Sequence, residues 1–259
     1  MSNTPQPVLE LREVSKTYTG GVEAVRNVSL SLAPGRLLAL TGTSGCGKTT
    51  LLKLINRLED PSGGSVVYEG RDARDMDAFI LRRQMGWVMQ GDGLFPHFTV
   101  RQNISVVPRL LDWDAATIEL RVREMMALVQ LDVEAFGERY PHELSGGQRQ
   151  RVGFARALAG KPDLVLMDEA FSALDPLTRD DLQRDFKRLQ RELGFSAILV
   201  THDMAEALFL ADEIAVMSAG EIVQSGSPSD LLRAPANNYV SGLLETPRRQ
   251  MRAIAELDR

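Results

Sequence analysis

The stretch Gly42-Thr43-Ser44-Gly45-Cys46-Gly47-Lys48-Thr49 reads G-x-x-x-x-G-K-[ST], and it limits the fold more than any other feature of the chain. Glycines let a backbone curl until successive N–H groups point inward, and a helix that starts there adds its positive end. Such a loop holds a polyphosphate with little help from side chains. The flanks suit this. Leu37-Leu38-Ala39-Leu40 is a short apolar run bounded by Pro34-Gly35 and Gly42, as expected of a strand buried on both faces of a parallel sheet. From Thr49 and Thr50 the pattern turns helical, with Leu51, Leu52, Ile55 and Leu58 on one face and a stop before Pro61 and Gly63-Gly64. In that setting Lys48 would reach the β and γ phosphates and Thr49 would ligate Mg²⁺.

The remaining pattern is α/β. Leu9 and Leu11, then Val28, Leu30 and Leu32, alternate as in half-buried antiparallel strands separated by a turn at Gly20-Gly21. Leu164 to Met167 and Ala197 to Val200 are further buried strands, with a helix between them carrying Leu182, Phe186 and Leu189 on one face. Asp114 is placed to cap a helix with apolar face Ile118, Val122, Met125, Met126 and Val129. The expected organisation is a loose end at 1–7 and one domain at 8–230, with a mostly helical insertion at about 91–160. A helical tail at 231–259 follows, with Arg248, Arg249 and Arg252 on a solvated helix. At 259 residues there is little room for a second full domain. The 30 Lys and Arg against 35 Asp and Glu leave a net charge of −5, which argues against nucleic acid as the main partner. The single cysteine, Cys46, suits a reducing compartment. Nothing approaches the roughly 20 apolar residues that a spanning helix needs, and Met1 to Pro7 lacks the apolar core of a secretory signal.

Two more segments carry chemistry. Leu164-Val165-Leu166-Met167-Asp168-Glu169 is an apolar strand ending in two carboxylates. Taken alone, the acidic pair would serve equally as a solvated strand end or a helix cap. Beside a phosphate loop, Asp168 is suited to holding Mg²⁺ and Glu169 to polarising an attacking water as general base. Leu144-Ser145-Gly146-Gly147-Gln148 offers a second anion site, a hydroxyl and glycine N–H groups opening the helix that carries Val152, Ala155 and Leu158.

With both loops in one chain, the sequence resembles an ABC-type ATPase up to about residue 230, which implies the P-loop NTPase fold: a parallel core sheet, an N-terminal antiparallel β subdomain and an inserted helical subdomain. The resemblance implies that two copies work head to tail on two ATP molecules. Ser145, Gly146, Gly147 and Gln148 of one copy would face the γ-phosphate bound at the other's Lys48. It also implies Tyr18 stacked on adenine, Gln90 bridging Mg²⁺ and the attacking water, Asp175 at the interface, and His202 contacting the γ-phosphate and orienting the water and Glu169. Rival readings stay open for several of these: Tyr18 as a strand aromatic, Gln90 as a surface amide, His202 as a satisfied histidine. His97 and His142 read as ordinary surface residues. Cys46 contributes its backbone, with thiol-reagent sensitivity as a possible consequence.

Gly93-Leu94-Phe95-Pro96-His97-Phe98-Thr99-Val100 is an aromatic loop just after Gln90. By the same resemblance it would receive a short helix from an integral membrane permease, with the ATPase on the cytoplasmic side of the cell membrane. Its side chains would otherwise simply anchor the helical insertion. More finely, Ile55-Asn56-Arg57-Leu58, Leu81 to Gln90, Gly93 to His97 and Val106 to Trp113 resemble the ATPases of osmoprotectant importers for glycine betaine, choline and similar quaternary amines. A substrate-binding protein is then an indirect partner. The alternatives are an ATPase for polar amino acids or another small solute, and a non-transport ATPase of the same superfamily. Some osmoprotectant ATPases continue into a regulatory domain. Here 30 residues follow Ser229, and regulation by such a module is not expected.

Overall fold

The computed structural model describes residues 6–91 and 93–257, the last eight by backbone alone. Residues 1–5 of the expected loose end, and the side chain of Arg252, lie outside the described part. In chain order the strands are β1 (Leu9–Thr17), β2 (Glu23–Leu32), β3 (Leu37–Thr41), β4 (Gly63–Tyr68), β5 (Arg71–Asp72), β6 (Met85–Val88), β7 (Leu164–Asp168), β8 (Ser196–Thr201), β9 (Glu213–Ser218) and β10 (Glu221–Gly226). The helices are α1 (Lys48–Ile55), α2 (Ala78–Gln84), α3 (Val100–Leu110), α4 (Ala115–Leu128), α5 (Val133–Phe136), α6 (Gly146–Ala159), α7 (Pro176–Leu193), α8 (Met204–Leu210), α9 (Pro228–Arg233) and α10 (Asn238–Leu257).

Two sheets result. One is antiparallel, in the order β2-β1-β4-β5; the other runs β10-β9-β3-β8-β7-β6 and is parallel except at its β10 edge. The central strands β3, β7 and β8 are buried at every position because both faces are covered. Leu37 and Ala39 of β3, with Val165, Met167, Ala197 and Leu199, face one core that is completed by α3, α4, α6, α7, α8 and α10. Leu38 and Leu40, with Leu164, Leu166, Ile198 and Val200, face a second core containing α1 and the inner side of the antiparallel sheet. Helix α1 is thus held between the sheets, with Leu51, Leu52, Leu54 and Ile55 almost fully buried. Each such side chain contributes roughly 1.5–3 kcal/mol, so the helix that follows the phosphate loop is firmly anchored in the core.

Between β6 and β7 the described elements are all helical, but helix starts only at Val100, where Thr99 and Gln102 form a capping box. Asp114 caps α4 and its buried face includes Val122, Met125 and Met126, as the pattern predicts. One expectation fails. Helix α1 ends at Ile55, because Arg57 turns at φ +49°, and Leu58 is 51% exposed instead of lying on the helix face. The helix does stop before Pro61 and Gly63-Gly64, and those glycines go on to open β4, where Gly63 pairs with Ser15 of β1. Among the described residues no helix is long and apolar enough to cross a membrane. In the tail, Arg249 is exposed, but Arg248 is half-buried and donates to the Leu232 carbonyl, so it is not simply solvated.

Candidate functional site

The glycine loop spans the gap between the end of β3 and the start of α1. Gly42 and Gly47 hold φ of +145° and +109°, and a Cβ at either would lie 2.2 Å from the Met217 carbonyl or 2.3 Å from the Ala24 carbonyl. Glycine is therefore required twice over, by conformation and by space. Lys48 is only 6% exposed; its Nζ donates to the carbonyls of Gly42 (2.8 Å) and Thr43 (3.0 Å), closing the loop on itself. Helix α1 has no side-chain cap and no acidic residue in its first turn. Its leading N–H groups therefore lack a side-chain acceptor, which is what an anion site at a helix start requires. The Cys46 thiol is 4% exposed, with its sulfur 3.7 Å from Lys48 Nζ; a thiol reagent would have to displace the loop to reach it.

The carboxylates sit at the neighbouring strand ends. Thr49 Oγ1 donates to Asp168 Oδ1 at 3.2 Å. Burial lifts the Asp168 carboxyl above its ordinary range, with the Glu169 charge adding to the rise and the Thr49 bond and the Lys48 and Lys53 charges opposing it. Glu169 adopts φ +47°, a conformation that costs a non-glycine residue of order 1 kcal/mol or more. Backbone bonds on both sides hold it there: its N–H donates to Val200 O (3.0 Å) and its carbonyl accepts from Ser172 N (3.1 Å) and Oγ (2.8 Å). The kink aims the side chain between two others. Gln90 Nε2 donates to Glu169 Oε2 at 3.2 Å, and His202 Nδ1 lies 3.2 Å from Oε1. Gln90 follows β6, Glu169 follows β7 and His202 follows β8, so three adjacent parallel strands deliver the three groups to one edge of the sheet, where open α/β sheets bind ligands.

A hydroxyl and a carboxylate oxygen are hard donors that suit Mg²⁺, so Thr49 and Asp168 fit the ion, with Gln90 close by through Glu169. Among the described residues no group of three or more His, Cys, Asp or Glu side chains could hold a metal alone.

The other predicted residues lie elsewhere or are less tied in. Tyr18 is half-buried, with its hydroxyl 3.5 Å from Thr50 Oγ1 and the Lys16 ammonium 5.4 Å from its ring centre. Ser145 caps α6 by accepting from Gln148 N (3.2 Å), while Gln148 Oε1 accepts from Ser145 N (2.9 Å). Asp175 caps α7 through Thr178, and those bonds hold its carboxyl below the usual range. A Cβ on Gly147 would meet Thr178 Cγ2 at 2.5 Å, so the starts of α6 and α7 abut. Ser145, Gly146 and Asp175 are exposed. Among the described residues no hydrogen bond or ion pair links them to Lys48, Thr49, Asp168, Glu169, Gln90 or His202. His97 and His142 are exposed and stand against aromatic rings, His97 beside Phe95 and Phe98 and His142 beside Tyr140.

One residue escaped the sequence reading. Tyr239, on α10, has its hydroxyl against the glycine loop, accepting from Thr43 N at 2.9 Å. A lone tyrosine in a polar stretch, 196 residues further along the chain, carries no sequence signal that would mark it.

A phosphate-binding glycine loop between a buried parallel strand and a helix, with strand-end carboxylates beside it, defines the chain as an α/β nucleotide-phosphate-binding protein. The family is specified by comparison: the model of the ABC transporter family matches residues 25–172, and the chain belongs to that family. The choline transport ATP-binding protein OpuBA of Bacillus subtilis is 54% identical over 233 residues, covering 90% of this chain and 61% of that protein. The glycine betaine uptake system ATP-binding protein YehX of Escherichia coli is 48% identical, covering 90% and 75% respectively. The chain spans about three-fifths of the length of several such relatives. Among solved structures, a dimeric ATP-binding cassette in a post-hydrolysis state bound to ADP and Pi superposes with a TM-score of 0.76 at 32% identity, covering 85% of this chain and 98% of that one. The cbiO1 protein of Clostridium perfringens, part of the ABC transporter complex cbiONQ, gives 0.82 at 25% identity, covering 90% and 93%.

Proposed function

We propose that the chain is the ATP-hydrolysing subunit of an importer for a quaternary-amine osmoprotectant such as glycine betaine or choline, coupled to a separate membrane permease. The observation that carries the catalytic part is Glu169, kinked out of the strand end between Gln90 and His202 and beside the Lys48 loop. In this reading Lys48 and the loop N–H groups hold the β and γ phosphates. Mg²⁺, held through Thr49 and Asp168, neutralises phosphate charge when bound. Glu169 takes the proton of the attacking water, Gln90 fixes the Glu169 carboxylate from one side, and His202 steadies it from the other.

The proposed working unit is a homodimer. Exposure of Ser145, Gly146 and Asp175, away from the chain's own Lys48 network, supports a role for them opposite a second copy's phosphate loop. The dimeric state of the ADP- and Pi-bound cassette supports it as well. The permease contact is placed on the loop after Gln90. There Phe95, His97 and Phe98 form an aromatic ridge, with ring centres 4.6–6.2 Å apart. Buried Asn103 pins it by bonding the Phe95 N–H and the carbonyls of Phe95 and Phe98. Such a ridge transmits motion from the Gln90 end to whatever helix docks on it. The chain would then work at the cytoplasmic face of the membrane, served indirectly by a substrate-binding protein. The substrate assignment rests on the similarity to ATP-binding proteins of choline transport and glycine betaine uptake.

The test is to purify tagged Glu169→Gln protein with ATP from detergent-solubilised membranes and identify what is recovered, then measure uptake of labelled choline, glycine betaine and polar amino acids by the recovered permease reconstituted in vesicles with the parent chain. A multi-span permease that imports the quaternary amines is expected. Recovery of soluble partners alone would sink the transport reading, and amino-acid uptake the substrate.

A further inference from the structure

The C-terminal helix touches the glycine loop through one side chain. Tyr239 sits in the first turn of α10, which Asn237 caps by accepting the Val240 N–H at 3.0 Å, and the next residue, Val240, is fully buried in the helical core. The phenol is therefore held at a fixed height over the loop. Its oxygen accepts the Thr43 N–H at 2.9 Å, and its single proton can go to Met217 O at 3.1 Å or Thr43 Oγ1 at 3.3 Å.

The Thr43 N–H and the Gly42 carbonyl belong to one planar peptide unit. The carbonyl end of that unit accepts from Lys48 Nζ at 2.8 Å. One peptide link thus separates the Tyr239 hydroxyl from the ammonium that would meet phosphate. An acceptor bound at the N–H end of a peptide fixes its plane and polarises the carbonyl at the other end. Met217 O, which the same hydroxyl reaches, is also the wall that forces glycine at position 42.

We propose that Tyr239 is a positioning residue for Lys48, acting through the Gly42–Thr43 peptide, so that the C-terminal helix sets nucleotide affinity. This rests on reading Gly42–Thr49 as the nucleotide loop. Loss of the hydroxyl frees the peptide to tilt, the Lys48 ammonium loses its fixed acceptor, and both ATP and ADP bind less well, while Glu169, Gln90 and His202 keep their geometry.

The experiment compares Tyr239→Phe, Val240→Ala and Lys48→Ala with the parent full-length chain. Binding of methylanthraniloyl-ADP with Mg²⁺, melting temperature without nucleotide, and KM and kcat for ATP are measured. Removing one hydrogen bond should weaken the probe about two- to tenfold in Tyr239→Phe. KM should rise in parallel, kcat stay within about twofold, and the melting temperature remain close to the parent's. Val240→Ala should lower the melting temperature by several degrees and leave the probe's affinity for folded protein unchanged. Parent-like binding by Tyr239→Phe, a fall in kcat without a change in KM, or equal weakening in Val240→Ala would each overturn the proposal. A Lys48→Ala chain that binds the probe normally would instead overturn the reading of the loop itself.

Discussion

The two glycine-containing anion loops of this chain are built to opposite plans. The Gly42–Thr49 loop is walled by β2 and β9; its lysine is buried against the loop's own carbonyls, and its threonine is joined to Asp168 by a hydrogen bond. The Ser145–Gln148 loop stands exposed, and its bonds are those of its own helix cap. Only the first has the surrounding groups that chemistry needs. In the proposed dimer the second loop would complete a site furnished by the other copy.

The sharpest way to break this contrast is Glu169→Gln, which keeps the Gln90 contact but removes the acceptor of the water's proton. Steady-state hydrolysis should fall about 10²- to 10⁴-fold with ATP binding retained, and a parent-like rate would take the base role away from Glu169. Next, Ser145→Arg places bulk on the exposed loop. Hydrolysis should drop at least about tenfold, while the nucleotide affinity of dilute protein stays within about twofold. Equal loss of both, measured by titration and turnover on one preparation, would show that the second loop serves its own chain's site.

Gly47→Ala tests the walls of the first loop. A methyl group 2.3 Å from the Ala24 carbonyl at φ +109° should cost about 1–3 kcal/mol in denaturant unfolding. Ala at Gly146, which has open space around it and no positive φ, should cost well under that. The smallest effect concerns pH. Burial raises the Asp168 carboxyl, so its protonated form favours the fold below the unfolded-state value, and that contribution is lost as pH rises through the folded value. Asp168→Asn should therefore melt above the parent near neutral pH, with the gap closing toward a pH of about 4, although it abolishes turnover. Asp175, whose carboxyl is held low by its cap, should show the opposite sign: Asp175→Asn melts slightly below the parent near neutral pH, and the gap closes as pH falls through the folded value.

Local rules made the first loop legible in the sequence. A buried strand, glycines and an amphipathic helix leave few alternatives, and period-two and helical patterns placed β1, β2, β7, β8 and α4. What the sequence hid was set by distant partners. Leu58 satisfies the helical spacing, yet Arg57 turns the chain before it, and a sequence window cannot see a single positive φ. Gly63-Gly64 bounds the helix, and only the pairing with β1 shows that the same glycines open a strand. The convergence of Gln90, Glu169 and His202 depends on strand order, which places β6, β7 and β8 side by side. Tyr239 depends on α10 folding back across the sheet.

The register of β3 has a consequence for the chain's history. Leu37 pairs with Ala197, 160 residues later, and Leu38 with Glu213, whereas β1, β2 and β4 find one another within the first 68 residues. During synthesis at about 5–20 residues per second, the antiparallel sheet can form early. The central strand and the loop after it must then wait on the order of ten seconds for their neighbours. A nascent chain stopped before β9 would carry every residue of the glycine loop and still lack the Met217 wall that shapes it, so nucleotide binding should begin only when the ribosome has released nearly the whole domain.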